Sequence, residues 1–452
     1  MKFTTIINST KVEIPAELLA KYDIPAPRYT SYPTAPIWTD KFTSTDYSAQ
    51  LKHLSTYALK HLSLYFHIPF CEQRCYYCGC STIATTRHDV AKRYVEALKK
   101  EIELVCKHLD TKRPVTQLHL GGGTPTFLSC EQMEDLWRSV ASHFKLDDNA
   151  EIGIEVDPRV TSDDQLKLLA RLGFNRISLG VQDFSAKVQE TVGRIEPYKD
   201  VKKMVETCRA QGFDSVNVDL IYGLPYQTIE GFGKTIEKII KLSPDRIACF
   251  NFAYLPEAMP HQRVLPKDAL PDRDTKFAIF CQTIEQLCSS GYEFIGMDHF
   301  AKKSDELAVA AREKTLWRNF QGYTTKAGTD LIGFGLTAIS DVSGCYAQNE
   351  KLLTDYYKKI EASELATIRG WKLSEDDLAR RKIIRELFCN GFADVSNIPT
   401  YQHTNTLIND GLIQINGNTI QITPLGHLFI RNIAMAFDKY LPESKTKFSR
   451  SV

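Results

Sequence analysis

No stretch of the 452-residue chain approaches the roughly 18 uninterrupted apolar residues of a membrane helix. The N-terminal run MKFTTIINSTKVEIP has no apolar core long enough for a secretory signal. Neither sign of charge is in excess, since 56 basic and 55 acidic side chains leave a formal net charge of +1. That balance argues against nucleic acid or an anionic membrane as the main partner, while leaving room for a local basic pocket that takes a carboxylate. Internal repeats and low-complexity tracts are missing, and the eleven histidines show neither H-x-x-x-H nor H-E-x-x-H metal spacing. These absences lead to the expectation of a soluble cytoplasmic protein without a membrane span.

Cysteine is not scarce. Four of the twelve crowd into Cys71 to Cys80. In a large chain without an export signal, such crowding points to a metal or cluster rather than to cross-links. Cys106, Cys130, Cys208 and Cys249 sit in helical or strand patterns and read as small apolar residues.

At 43% hydrophobic and 25% charged, the composition is that of a globular protein of two or three domains. The first sixty residues read as polar and irregular, broken by Pro25, Pro27, Pro33 and Pro36. Short apolar runs then predict strands at Leu62 to Phe66, Thr116 to Leu120, Ile152 to Val156, Ile177 to Val181, Val216 to Ile221 and Ile247 to Phe252. Between them, helical patterns cover Val90 to Leu109, Glu131 to Phe144, Gln165 to Leu172, Lys199 to Gln211 and Ile229 to Leu242. Repeated strand and helix imply a parallel sheet with right-handed crossovers, here an incomplete (β/α)6-type barrel or an open α/β sheet. Ligands of such folds gather at the C-terminal ends of the strands.

After about residue 350 the pattern turns helical, at Lys351 to Glu361, Glu375 to Phe388 and Tyr401 to Asp410. A hairpin across Asn416-Gly417 and a helix from about Pro424 to Tyr440 follow. This resembles a winged-helix module, which could bind DNA or serve as a packing or lid domain; the neutral charge favours the latter. The expected division is 1–60, an extension and substrate lid; 61–350, the catalytic domain; and 351–452, the C-terminal domain.

Cys71-x3-Cys75-x2-Cys78 follows the first strand, with Cys80 two residues on. Close spacing of cysteines in one loop suits an iron–sulfur cluster. Three thiolates would leave one iron open to a substrate. The alternatives are zinc, whose sites usually pair two separated sets of ligands, or unrelated thiols, and no second pair follows. Cys80 is crowded against Cys78 as a fourth ligand, which leaves a structural or a catalytic thiol; we take it as catalytic. Gly121-Gly-Gly-Thr-Pro125 follows the second strand and can bring backbone close to a ligand, though alone it marks no more than a tight loop. Glu155, Gln182, Arg194 and Asp219 fall at or just after successive strand ends on one predicted face. His67 belongs to the cysteine motif by position, either supporting a cluster or packing the core.

The C-x3-C-x2-C spacing resembles that of the radical S-adenosylmethionine (radical SAM) enzymes. Tyr65-Phe-His-Ile-Pro-Phe-Cys71, Cys80, Pro27-Arg-Tyr-Thr-Ser-Tyr-Pro-Thr34 and Arg318-Asn-Phe-Gln-Gly-Tyr-Thr324 narrow the resemblance to the oxygen-independent coproporphyrinogen III oxidases (dehydrogenases), from about residue 22 to 440. The resemblance implies a [4Fe–4S] cluster on Cys71, Cys75 and Cys78, and two molecules of S-adenosylmethionine. It implies contacts to them from Tyr65, Tyr77, Gly122, Gly123, Thr124, Glu155, Gln182, Arg194, Asp219, Ala253 and Ile339. Tyr77 departs from the phenylalanine expected there. It implies oxidative decarboxylation of two propionates of coproporphyrinogen III to vinyl groups by a 5′-deoxyadenosyl radical, in haem biosynthesis. An electron donor for the cluster and an electron acceptor would be needed, and the chain is expected to be a monomer. Arg28, Arg159 and Arg318 are candidates for clamping propionates. A related group of haem chaperones shares the radical fold but generally lacks Cys80 and the Tyr-Thr-Ser-Tyr-Pro-Thr segment. A cluster-based redox sensor that binds DNA is the remaining alternative, against which the glycine loop and neutral charge speak.

Overall fold

A computed structural model describes residues 2–57, 61–342, 344–398, 404–441 and 448–451. Its centre is a mixed sheet of twelve strands. Seven run parallel: β1 (Leu62–Ile68), β2 (Val115–Gly122), β3 (Leu146–Val156), β4 (Arg176–Gln182), β5 (Ser215–Tyr222), β6 (Arg246–Asn251) and β7 (Asp330–Phe334). Their order across the sheet is β6-β5-β4-β3-β2-β1-β7. The first six match the strands read from the sequence. The seventh extends the series past β1, where Asp330–Phe334 pairs residue for residue with Leu62–Phe66. At five residues, and separated from β6 by two antiparallel strands, helix Glu306–Glu313 and a short hairpin, it carries little periodic signal in the sequence.

Helices join successive parallel strands from β1 to β6, and burial alternates along β4 and β5, so that one face is apolar and buried while the other carries the half-buried Ser178, Gln182, Asn217 and Asp219. In β1 only Tyr65 is not fully buried. Two of the crossover helices begin in the S-x-x-Q pattern. Ser129 caps Cys130–His143 and Ser162 caps Asp163–Arg171, each in a reciprocal box with Gln132 or Gln165. Antiparallel strands extend both sides of the parallel set. His299–Lys302 and Tyr292–Gly296 lie beyond β6, and Ile339–Val342, Cys345–Asn349 and Thr367–Lys372 lie beyond β7. The outermost strand on that side therefore comes from the segment after residue 350.

The N-terminal sixty residues are more regular than their composition suggests. Lys2–Ile7 and Thr10–Pro15 form a hairpin, turned by Asn8 and Ser9 at φ +46° and +75°. Such a two-residue turn needs positive φ at both positions. Helices Ala16–Tyr22 and Ser44–Tyr57 follow, and the four prolines lie between them. The hairpin packs on helix Arg273–Ser289, with the Phe3 and Phe277 rings edge to face at 5.2 Å.

In the C-terminal part, helices Leu353–Glu361, Glu375–Asn390 and Thr404–Asn409 are present; the start of the helix expected from Tyr401 falls on residues 399–403, which lie outside the described residues. The expected hairpin forms one residue out of register. Asn416 pairs with Thr419, so the turn is Gly417-Asn418, with Gly417 at φ +59°. Glycine at the first central position suits a two-residue hairpin turn. Phe392–Asp394 adds a third strand to this small sheet. The expected long last helix is a 3-10 turn, Gly426–Phe429, running into a short α-helix, Ile430–Met435.

One contiguous core contains residues from the N-terminal hairpin, the parallel sheet and the C-terminal helices. Tyr29 and Tyr32 of the expected lid are buried in it, at 6% and 1% exposure. Arg431, itself buried, fastens this arrangement. Its guanidinium donates to the carbonyls of Pro27 (3.2 Å), Ser449 (2.9 Å) and Arg450 (2.8 Å), and to that of Ala26. Deleting residues 1–34 would thus remove core side chains such as Ile14 and Leu19 as well as any lid. Arg431→Leu is the cleaner probe. It strands several buried carbonyls at about 1–3 kcal/mol for an unsatisfied group. We expect urea unfolding to show a loss of about 2–4 kcal/mol and limited proteolysis to reach the N-terminal segment sooner.

Candidate active site

The C-terminal ends of β1 and β2 bring the cysteine loop and the glycine run together. Gly123 N–H donates to the Ile68 carbonyl and Thr124 N–H to that of Phe70, both at 2.8 Å. A Cβ on Gly122, whose φ is +115°, would lie 2.7 Å from the His67 ring; one on Gly123 would lie 2.7 Å from the Phe70 carbonyl oxygen. These glycines therefore first serve to seat the cysteine loop. Tyr65 O–H donates to His67 Nδ1 (3.1 Å), and His67 Nε2–H donates to the Ser81 carbonyl (2.9 Å), closing the loop from inside. Burial holds the His67 imidazolium form below its usual range, in keeping with this neutral tautomer.

Cys75 is buried, Cys71 and Cys78 are partly buried, and Cys80 is exposed; all four are free thiols. Cys71 Sγ lies 3.4 Å from Thr124 Oγ1. The neighbouring Cys80 thiol holds Cys78 down to about 6, while Cys78 and burial push Cys80 up. Two side chains from a short 3-10 turn, Pro260–Val264, fasten the loop from outside. His261 Nε2 donates to the Cys78 carbonyl (2.7 Å), and Gln262 Nε2 reaches the carbonyls of Tyr77 and Ala253, both at 3.2 Å. Neither residue stood out in the sequence, since a lone His-Gln pair in a loop carries no spacing signal.

Behind Cys75 lies a buried charge network. Arg159 and Arg194 point N–H groups at Cys75 Sγ from 3.7 and 3.8 Å. Asp157 holds both, with Arg159 at 2.6 Å and Arg194 at 2.9 and 3.2 Å, and Glu196 takes Arg194 Nε at 3.2 Å. Arg194 also donates to the Gly180 carbonyl. Tyr77 packs among Val188, Val192, Leu224 and Phe252 with its hydroxyl beside Cys75. Gln182 adopts φ +69°, and its Oε1 is buried without a hydrogen-bond partner. Arg159, expected as a propionate clamp, is thus engaged behind the cysteine loop. Arg318 is also engaged, donating to the carbonyls of Arg28 (3.0 Å) and Tyr29 (2.7 Å), while Arg28 pairs with Asp298.

On one face of the sheet is a cavity of about 180 Å³ lined by His119, Glu155, Ser178, Asn217, Asp219 and Phe250 among others. Glu155 Oε2 accepts from Gly122 N–H at 3.1 Å, and Oε1 lies 3.4 Å from His119 Nε2. Burial raises the Glu155 carboxyl, but His119 and the Gly122 N–H outweigh it and hold the group below its ordinary range. Asp219 accepts from Ser178 (2.9 Å) and Asn217 (2.8 Å); burial, then the Glu155 charge, push it up to about 6. Two carboxyls facing one cavity are thereby biased toward different protonation states. Of the expected contacts, Glu155 and Asp219 line this cavity, Tyr77 and Arg194 stand beside Cys75, and Gln182 lies with Arg194 over Gly180. Ile339 opens the strand beside the end of β7, and its backbone lies over Gly333.

The donor set fits an iron–sulfur cluster: three thiols on one loop, with two guanidinium groups facing the most buried of them. Among the described residues no three His, Cys, Asp or Glu side chains stand converged on one point, the loop thiols included, so the fit to a cluster rests on their spacing along one loop and on the facing guanidinium groups. The unpartnered Gln182 Oε1 and the half-accessible Glu155 carboxylate fit a cofactor that carries hydrogen-bond donors and positive charge.

Residues 65–239 match the family model described as the radical SAM superfamily. The chain is 44% identical to the oxygen-independent coproporphyrinogen III oxidase of Synechocystis, over 98% of both chains. It is 43% identical to that of Escherichia coli, over 96% of this chain and 98% of the relative. The solved structure of the Escherichia coli coproporphyrinogen III oxidase, described as a radical SAM enzyme, superposes with a TM-score of 0.87 at 43% identity, over 92% of this chain and 98% of that one.

The charge network carries a pH signature. Burial raises the Asp157 carboxyl, but Arg194 and Arg159 together bring it down to about 2. Its ionised form therefore stabilises the fold above the unfolded value of about 3.9, and that contribution fades as pH falls toward about 2. Asp157→Asn should lower unfolding stability by about 2 kcal/mol at neutral pH. It should also flatten the acid limb between about pH 4 and 2 in denaturant titrations. Equal acid sensitivity in both proteins would take Asp157 out of this role.

Proposed function

The chain belongs to the oxygen-independent coproporphyrinogen III oxidase family of radical SAM enzymes, and from that premise we propose how its residues divide the work. The protein oxidatively decarboxylates two propionates of coproporphyrinogen III to vinyl groups, giving protoporphyrinogen IX, in haem biosynthesis. The observation that carries this is the extent of the likeness, which runs along nearly the whole chain and is not confined to residues 65–239. On that ground the haem-chaperone alternative is set aside.

Cys71, Cys75 and Cys78 would hold the [4Fe–4S] cluster. When bound, the cluster and S-adenosylmethionine together supply a 5′-deoxyadenosyl radical that takes hydrogen from the propionate. The protein's part is to orient these groups and to exclude water. Gly122, Gly123 and Thr124 offer backbone and hydroxyl contacts at the edge of the cysteine loop. Glu155, ionised and half-accessible, suits an ammonium group, and the buried, strained Gln182 suits a donor brought close to the strand ends. Tyr65, Tyr77, Ala253 and Ile339 frame this mouth through packing and backbone. Arg194 and Asp219 complete the set of contacts, which would take up two molecules of S-adenosylmethionine side by side. Cys80, the exposed thiol of the loop, serves substrate turnover.

Residues 61–350 form an incomplete-barrel catalytic unit. Residues 1–60 contribute the segment around Arg28 that borders the substrate side, supported by the Arg28 guanidinium over the Phe250 ring at 5.6 Å. Residues 351–452 form a winged-helix-like unit, supported by the three-stranded sheet beside helix Glu375–Asn390, and lend one edge strand to the main sheet. An external one-electron donor and a final electron acceptor complete the reaction, which a monomer carries out in the cytoplasm. Among the described residues no helix is long and apolar enough to cross a membrane.

Strictly anaerobic assay of the reconstituted protein with coproporphyrinogen III should yield protoporphyrinogen IX; intact substrate throughout would refute the assignment. Ser substitution of Cys71, Cys75 or Cys78 should each abolish the brown cluster absorption, because each removes one of three thiolates. Cys80→Ser should keep the absorption and lose product. An iron-free Cys80 variant would instead make it a ligand.

Glu155→Ala should keep its iron and bind S-adenosylmethionine about ten- to a hundred-fold more weakly, the value of one or more charge-assisted hydrogen bonds. Calorimetric titration beside a thermal melt is the check. Unchanged affinity with a lowered melting point would place Glu155 in the scaffold.

A further inference from the structure

The Glu155 carboxylate poses a mechanical question. It is a long side chain, 44% accessible in the wall of a cavity, and a group that free can sweep through several rotamers. Its two oxygens are nevertheless tethered. Oε2 takes the Gly122 N–H at 3.1 Å, and Oε1 faces His119 Nε2 at 3.4 Å.

The strands are built to make the second tether possible. His119 stands directly across from Gly153 in the β2–β3 register. A Cβ on Gly153 would lie 2.8 Å from His119 Nδ1, closer than real contacts allow. A Cβ on Gly121 would lie 3.0 Å from the carbon and both oxygens of the Glu155 carboxylate. Each glycine thus opens a gap through which the side chain of the adjacent strand lies flat. On the far side, the Tyr65 ring runs nearly parallel to the His119 ring, at 9° and 6.2 Å between centroids. The imidazole is confined between Tyr65 and Gly153, with Nε2 directed at the carboxylate. A proton on Nε2 makes it the donor.

We propose that His119 is a positioning residue for S-adenosylmethionine binding, holding the Glu155 carboxylate by an Nε2–H donor so that its free lone pairs face the cavity. A carboxylate offers about four acceptor positions. The two tethers use one on each oxygen, and one on each remains for the donors of the bound cofactor. The gain is preorganisation, because the cofactor need not order the side chain as it binds. This inference rests on the reading of Glu155 as a cofactor-binding residue and goes beyond it by naming what holds Glu155 in place.

The experiment is a double-variant cycle on the reconstituted enzyme, reading S-adenosylmethionine affinity by equilibrium binding, the KM and kcat of turnover, iron content and the thermal melt. His119→Ala should weaken affinity and raise KM about tenfold, the order expected for one hydrogen bond to a charged group. Iron content, melting point and kcat should stay near those of the parent. His119→Gln, whose side-chain amide can donate from a similar place, should recover most of the affinity. In a Glu155→Ala background the His119 substitution should have no further effect, because coupled residues are not additive. Additive losses, or full affinity in His119→Ala, overturn the proposal while leaving the Glu155 reading intact. Full affinity in Glu155→Ala alone overturns that reading and the proposal with it. Should His119→Ala fail to fold, Gly153→Ala replaces it in the cycle. That substitution displaces the ring without removing it and should produce the same affinity loss only while Glu155 is present; a loss that persists in the Glu155→Ala background counts against the proposal.

Discussion

The pairing of β1 with β2 is parallel and in register up to Ile68 and Gly122, where the two strands end together. At that point the chain after β1 must turn into the cysteine loop and the chain after β2 must turn away beneath it. Both turns occupy one small volume. A methyl group on Gly122 or Gly123 would intrude on His67 or on the Phe70 carbonyl, so the loop can settle only over bare backbone. Cys71 then comes beside Thr124, and the thiols of the loop stand over the strand ends. The remaining strands continue the same series, which puts Glu155, Gln182 and Asp219 in succession along one rim. The chemistry of the site is therefore a consequence of strand order and of side chains that are absent.

Charge is arranged in two separate compartments around this rim. Behind Cys75, the Arg159 and Arg194 cations face the Asp157 carboxylate and the Glu196 carboxyl, which burial pushes up to about 8. Breaking such a buried set by removing one member costs more than the set contributes as a whole. On the cavity side, Glu155 and Asp219 are opposed mainly by histidine, amide and hydroxyl donors. The first compartment presents N–H groups to a thiolate and suits an anionic cluster, while the second presents carboxyl oxygens and suits a cationic cofactor. A binding site that must hold a cluster and a sulfonium side by side needs that separation of sign.

The substrate side is assembled from parts far apart in the chain. Arg318 fixes the backbone at Arg28 and Tyr29, Arg28 leans over Phe250, and Arg431 clasps the Ala26-Pro27 backbone to that of Ser449-Arg450. A porphyrinogen bears several carboxylates, and arginine suits their two-pronged recognition. Most arginine donors here already serve backbone or Asp298. Substrate carboxylates would thus meet groups oriented by the fold, or exchange with internal partners that hold those groups ready.

Much of this was legible in the residues themselves. The cysteine spacing, the glycine run and the polar residue ending each apolar run stand at fixed positions along six strands whose hydrophobic patterns are strong. Local sequence determines such features, because apolar runs between helical patterns favour parallel strands and closely spaced thiols on one loop favour a cluster. The two-residue turn at Asn8-Ser9 and the short β7 carried too little periodic signal to be seen. The partners of each functional group were not legible. Arg159 stands next to a proline in a strand-end loop, and nothing in that position says that it reaches Cys75, from a strand two places away. His119 lies two residues before Gly121, on the same face of β2, and that parity was a usable hint. Its meaning depends on Gly153 in the neighbouring strand, thirty-four positions later. Sequence by itself determined which chemistry the chain can carry and on which strand ends. Only the tertiary structure decided which side chains lie flat, which charges face each other and which donors remain free, because register and packing set distances of a few ångströms between residues that the chain keeps far apart.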